Sequence, residues 1–252
     1  MATATIEPQA AAGKMPIMSH LRELRDRIFK SLIALAIGVG IGFIFAPQLI
    51  EFLKIPAGAH ASFQAIKPME NLTVYFKGSL VLGLIIAMPF LVYQVFAYVS
   101  PGLTSREKGY IYKIIPGVVF MFVLGVSFAY FVALPPAMHF MQNFMSNIAS
   151  NEWQISEYID IVTRMLLVVG LIFEAPMIIM FMARMGIVSP QWLAKRRKIW
   201  IILAIVIAAI VTPTPDPINQ MIVAIPLILL LEVSIILARL VYRKRTPEAS
   251  IA

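Results

Sequence analysis

The chain has 252 residues, 60% hydrophobic and 13% charged, with a formal net charge of +8 and no cysteine. A soluble domain carries about a quarter charged residues, so this polar surface is too small to cover a water-facing core, and the remaining apolar surface must face lipid. The missing thiols exclude disulfides, thiolate metal sites and cysteine nucleophiles.

Residues 1–18 hold one lysine, no arginine and no apolar core, so they form neither a secretory signal nor a transit peptide. They read as a short disordered tail. From Ser19 to Ile28, Leu21, Leu24, Ile28 and Leu32 share one helical face while charges fill the other. This predicts an amphipathic helix at the membrane interface, with Ser19 as N-cap, running into the first span. At i, i+4 spacing Glu23 can pair with Arg27 and Arg22 with Asp26.

Six apolar runs follow: Ser31 to Ile50, Gly78 to Val99, Ile114 to Leu134, Met165 to Ala183, Ile199 to Val211 and Ile218 to Ala238. The first four approach the ~20 residues that a helix needs to cross about 30 Å of hydrocarbon, and the fifth is short. They are continuous rather than alternating, which predicts helices and not barrel strands. Prolines 89, 116, 176 and 226 interrupt them, a break that membrane helices tolerate when neighbours satisfy the freed carbonyls. The fold class is therefore all-α: a polytopic membrane protein of six helices, with residues 19–242 as one membrane domain between tails 1–18 and 243–252.

Of the 21 basic side chains, seventeen fall in the N-terminal segment, the loops after spans two and four, and the C-terminal tail. Four lie on the other side: Lys54, Lys67, Lys77 and Arg164. The positive-inside rule places both termini in the cytoplasm. The basic balance is thus a topology signal, and nucleic acid is not an expected partner.

Between spans two and three stands Tyr98-Val99-Ser100-Pro101-Gly102-Leu103-Thr104-Ser105-Arg106-Glu107-Lys108. Pro-Gly makes the turn, and Thr104 with Glu107 has capping-box spacing. Locally, Glu107 needs no role beyond starting the third helix. Glu174 sits about ten residues from both Arg164 and Arg184, close to mid-bilayer. An ionisable residue at that depth is costly and marks function; the structural alternative is a protonated carboxyl hydrogen-bonded to a neighbouring helix. Glu232 lies inside the sixth run. No HExxH is present, the three histidines lie outside the span centres, and no serine has an evident base, so no catalytic residue, metal site or cofactor is expected.

An interfacial His20-Leu21-x-Glu23-Leu24-Arg25-x-Arg27, followed after one span and its return by Ser100-Pro101-Gly102-Leu103 and Glu107-Lys108, resembles the TatC family signature. The likeness continues through Pro68 and Glu70, Phe128-Ala129-Tyr130-Phe131, Phe173-Glu174-x-Pro176, Gly186-Ile187-x-Ser189-Pro190, Arg196-Arg197, Thr212-Pro213-x-Pro215-Asp216, Ala224-Ile225-Pro226 and Leu231-Glu232. Two departures are Tyr98, where phenylalanine is more usual, and Thr214 between prolines that many relatives place side by side.

The resemblance implies the core receptor of the twin-arginine protein translocase in the inner membrane. It would bind the Arg-Arg signal peptides of folded cargo and work with TatA- and TatB-type single-span subunits, further copies of itself and membrane lipids, driven by the proton motive force. It assigns Glu23 and Glu107 to the arginine pair, with Arg25 and Tyr98 shaping the same patch. It places Glu174 in a concave pocket for the signal peptide or a partner helix, Glu232 at a partner contact, and Pro56 and Asp216 as site residues of the periplasmic loops. The rival function is a proton-coupled carrier of small solutes using Glu174, which the lack of an internal repeat disfavours.

Overall fold

In hydrocarbon every backbone polar group must be satisfied within the chain, so uninterrupted apolar runs become helices. The computed structural model describes residues 17–58, 61–99, 105–144, 152–214 and 216–242. Its helices are α1 (Ile17–Lys54), α2 (Glu70–Val99), α3 (Ser105–Phe128), α4 (Leu134–Asn143), α5 (Ile155–Phe173), α6 (Ala175–Arg184), α7 (Pro190–Lys195), α8 (Arg197–Val211) and α9 (Pro217–Val241).

The expected interfacial segment and first span form one uninterrupted helix of 38 residues. Ser19 lies inside it and so does not act as the N-cap, and the helix starts two residues ahead of the expected domain boundary. Leu21, Ile28 and Leu32 stay exposed, because the face turned toward α2 carries the polar residues described below. The third apolar run is also longer than its composition indicates. Pro135 and Pro136 lack N–H groups, and their rings clash with carbonyls four residues back. The chain answers with a π-helical turn over Ala129–Ala133 and continues as α4. Pro176 acts similarly at the α5–α6 break: its ring ends α5 at Phe173, and Glu174 donates its N–H to the Leu171 carbonyl at 3.1 Å.

Among the described residues, five helical stretches are long and apolar enough to span a bilayer: residues 18–57, 70–98, 114–143, 155–184 and 217–241. The fifth apolar run, α8, falls outside these five with 15 residues, about 22 Å of helix. Large apolar side chains lie exposed on α1, α2, α3, α8 and α9, as lipid contact requires.

The stretch 155–184, made of α5 and α6, is the most buried of the five, and Tyr158, Ile159, Val162, Met165 and Val169 of α5 are wholly enclosed. Tyr158 of α5 donates to the Leu53 carbonyl at 2.6 Å. Tyr130 likewise donates to the Phe52 carbonyl at 2.7 Å, so two hydroxyls fasten the end of α1. Nearby, a two-residue parallel ladder pairs Phe63 with Trp153 and Gln64 with Gln154. Helices α1 and α2 pack backbone to backbone. A Cβ added to Gly83 would lie 2.5 Å from the Val39 nitrogen, and Gly38 and Gly42 face the same seam, the small-residue arrangement that lets membrane helices approach closely.

Candidate functional site

The polar motif near the start of α1 presents His20, Glu23 and Arg27, one helical turn apart, to the last turns of α2. His20 stacks on Tyr98 with ring centroids 4.5 Å apart and planes 17° from parallel. Arg27 donates from Nη2 to Glu23 Oε1 at 3.2 Å and from Nη1 to Gln94 Oε1 at 3.2 Å. Gln94 is buried, so the guanidinium bridges a fixed amide and a carboxylate open to water. This is the Glu23–Arg27 pair that the spacing predicts. Asp26, by contrast, pairs with Arg25 at 3.0 Å rather than with Arg22.

Tyr98 and Glu23 are thus brought to one cluster. Arg25 is 66% exposed and bonded to Asp26, on a side of α1 that the cluster does not use. Residue 107 falls in the first turn of α3; its side chain, with residues 100–104 where the sequence predicts a turn and a cap, lies outside the described residues. Sequence reasoning named Arg27 as the partner of Glu23, gave His20 no role beyond its place in the motif, and missed Gln94. For Gln94 a signal existed, since it is a lone amide in an otherwise apolar stretch of α2.

Glu174 occupies the α5–α6 break and is 2% exposed. Neither carboxyl oxygen has a hydrogen-bond partner among the described residues, so the expected structural alternative, a bond to a neighbouring helix, is not found there. The residue lines a groove of about 630 Å³ between α2 and α5–α6, whose other walls include Met88, Val92, Phe96, Leu171 and Phe181. The groove is apolar except for this carboxyl group. Such a surface fits an apolar helix carrying one hydrogen-bonding group at the right level.

Glu232, on α9, accepts from Arg197 Nη2 at 2.8 Å on the outer surface against α8. Pro56 and Asp216 meet at the opposite end of the bundle, in a cavity of about 550 Å³ that also includes Pro135, His139 and Asn219. Asp216 caps α9, accepting from the Ile218 and Asn219 nitrogens at 2.8 and 3.2 Å. Glu70, buried at the start of α2, accepts from the nitrogens of Ile66, Lys67 and Ser156 at 2.9, 3.1 and 3.0 Å. It thereby ties the loop before α2 to the start of α5. No group of three or more His, Cys, Asp or Glu side chains that could hold a metal occurs among the described residues.

These features define a multi-pass helical membrane protein with a polar cluster at one end of its first two helices and an acidic residue facing an apolar groove. Residues 19–226 match the family model described as Sec-independent protein translocase protein (TatC). The chain is 38% identical over 236 residues to the Sec-independent protein translocase protein TatC of Aquifex aeolicus (strain VF5), covering 92% of this chain and 98% of that one. It is 33% identical over 234 residues to TatCy of Bacillus subtilis (strain 168), covering 92% of each. A crystal structure of the twin-arginine translocase receptor TatC superposes with a TM-score of 0.76 at 38% identity, over 89% of this chain and all of that one. The chain belongs to the TatC family.

Proposed function

We propose that this protein is the receptor subunit of a twin-arginine translocase, binding the Arg-Arg signal peptides of folded cargo rather than acting as an enzyme. The observation that carries this reading is the Glu23 cluster. A carboxylate is held by Arg27 through one oxygen, while Oε2 has no partner among the described residues. An incoming guanidinium finds there a planar, charge-assisted acceptor, and it meets an arginine whose alternative partner, Gln94, is already in place. Glu107, at the start of α3, supplies the second carboxylate, and Tyr98 borders the patch, while Arg25 keeps its pair with Asp26 on the other side of α1.

In the same reading the chain sits in the inner membrane with six spans, α8 completing the count, and both termini in the cytoplasm. Residues 19–242 form the membrane domain between two tails. Transport is driven by the proton motive force and uses TatA- and TatB-type subunits, which meet the Glu174 groove and the Glu232 surface, together with further copies of the chain. Pro56 and Asp216 serve the periplasmic face. The proton-coupled carrier gains no support from the comparisons, whose matches are translocase proteins. The test is export of a twin-arginine reporter in cells lacking their own TatC. Restored export by this chain, and none by a Glu23→Gln/Glu107→Gln variant of equal abundance, is expected; restored export by both would overturn the assignment of the site.

A further inference from the structure

Where α7 ends against the last turn of α9, a cavity of about 460 Å³ opens between Pro190, Gln191, Ala194, Lys195, Arg239 and Tyr242. Every polar side chain in its wall can donate a hydrogen bond, and two are cations. Lys195 and Arg239 are exposed, and among the described residues no carboxylate pairs with either. The nearest acid along α9, Glu232, is two turns away and held by Arg197. Behind the wall α7 and α9 are packed together: Leu193, Ile235 and Ala238 share one buried cluster, and Arg184 donates to the Val241 carbonyl at 3.4 Å.

We propose that this cavity holds the phosphate of an anionic phospholipid. Two features favour a lipid over free phosphate. Leu240 is 77% exposed and Ile236 54% exposed next to Arg239, which gives acyl chains an apolar surface leading from the cations. Trp192 and Trp200 also sit edge to face at 6.1 Å beside the cavity, with the Arg196 guanidinium 4.8 Å above Trp192, the aromatic and cationic mixture of a headgroup layer. Basic pockets between membrane helices hold phospholipid headgroups through this chemistry.

The test is native mass spectrometry of the full chain in detergent, titrated with phosphatidylglycerol or with phosphatidylcholine of the same acyl chains. The parent should bind phosphatidylglycerol in preference. Lys195→Gln/Arg239→Gln should weaken that binding about 30-fold, roughly fivefold for each cation near the surface. Lys195→Arg/Arg239→Lys should retain it, and Lys67→Gln, at the other end of the bundle, should not alter it. Undiminished binding by the neutral double variant would overturn the proposal. Displacement of the lipid by millimolar inorganic phosphate would also overturn it, by making this a free-phosphate site. A reading on the parent alone guards against a misfolded variant: raising salt from about 0.05 to about 0.5 M should abolish the preference for phosphatidylglycerol. A preference indifferent to salt would refute the assignment.

Discussion

Glu23→Gln separates charge from shape at the proposed receptor site. The Glu23 and Arg27 side chains are 22% and 25% exposed and meet at 3.2 Å, an i, i+4 pair worth about 0.3–0.5 kcal/mol. Glutamine keeps an oxygen that can accept from Arg27, and Arg27 keeps Gln94 at 3.2 Å. Folding should therefore lose no more than about 0.5 kcal/mol. A bound arginine would lose a hydrogen bond to a charged group, about 1.5–3 kcal/mol, or about 10- to 150-fold in Kd. Glu107→Gln is the companion variant, because a capping box accepts glutamine as readily as glutamate. The assay is titration of a labelled Arg-Arg signal peptide against the chain in nanodiscs, with thermal melts of the same samples. A Lys-Lys peptide should bind the parent poorly, since ammonium lacks the planar fork. Binding by both Gln variants within twofold of the parent, at unchanged melting temperature, would refute the reasoning and leave Glu23 and Glu107 as surface pair and cap.

Glu174→Leu removes a buried carboxyl that has no partner among the described residues, a burden of about 1–3 kcal/mol. Its melting temperature should equal or exceed the parent's while export falls; a parallel fall in stability and export would assign the residue to packing. Gly83→Ala forces a Cβ against the α1 backbone and should cost about 1–3 kcal/mol. Gly40→Ala, with nothing within 4 Å, should be neutral or slightly stabilising in the same denaturation series. For topology, reporters fused after Lys198 and in the C-terminal tail should read cytoplasm, and those near Glu152 and Asp216 periplasm. Periplasmic signals from both basic segments would invert the orientation.

The helical class, the apolar runs and the Glu23–Arg27 pair were legible in the sequence because each follows from local periodicity or spacing. The continuity of α1 was not. Nothing between residues 28 and 31 distinguishes a bend from a straight helix, and the choice is made by packing against α2. The π-helical turn before Pro135 was hidden for the opposite reason: a proline pair marks a disturbance but not the form of its repair. Gln94 and His20 acquire meaning only from a partner about 70 residues away in sequence, and the α7–α9 cavity joins two basic segments that the charge count treated merely as topology signals. Glu174 was found from depth alone, whereas its lack of partners needed the surrounding helices.

The unbroken α1 sets the height at which recognition takes place. Counted from Ser31, where its apolar run begins, Glu23 lies eight residues farther along the same helix, about 12 Å for an upright helix. The headgroup layer on each side of the hydrocarbon is about 5–8 Å thick. In an upright helix Glu23 would stand just clear of the lipid headgroups, in water of ordinary ionic strength, where the Debye length is about 8 Å. A carboxylate there is shielded from the anionic membrane surface and from the basic loops around it, so it attracts a guanidinium only at close range. On the proposed reading, such a site would read an arginine pair that a bulky cargo has delivered to it and would not gather cations from a distance.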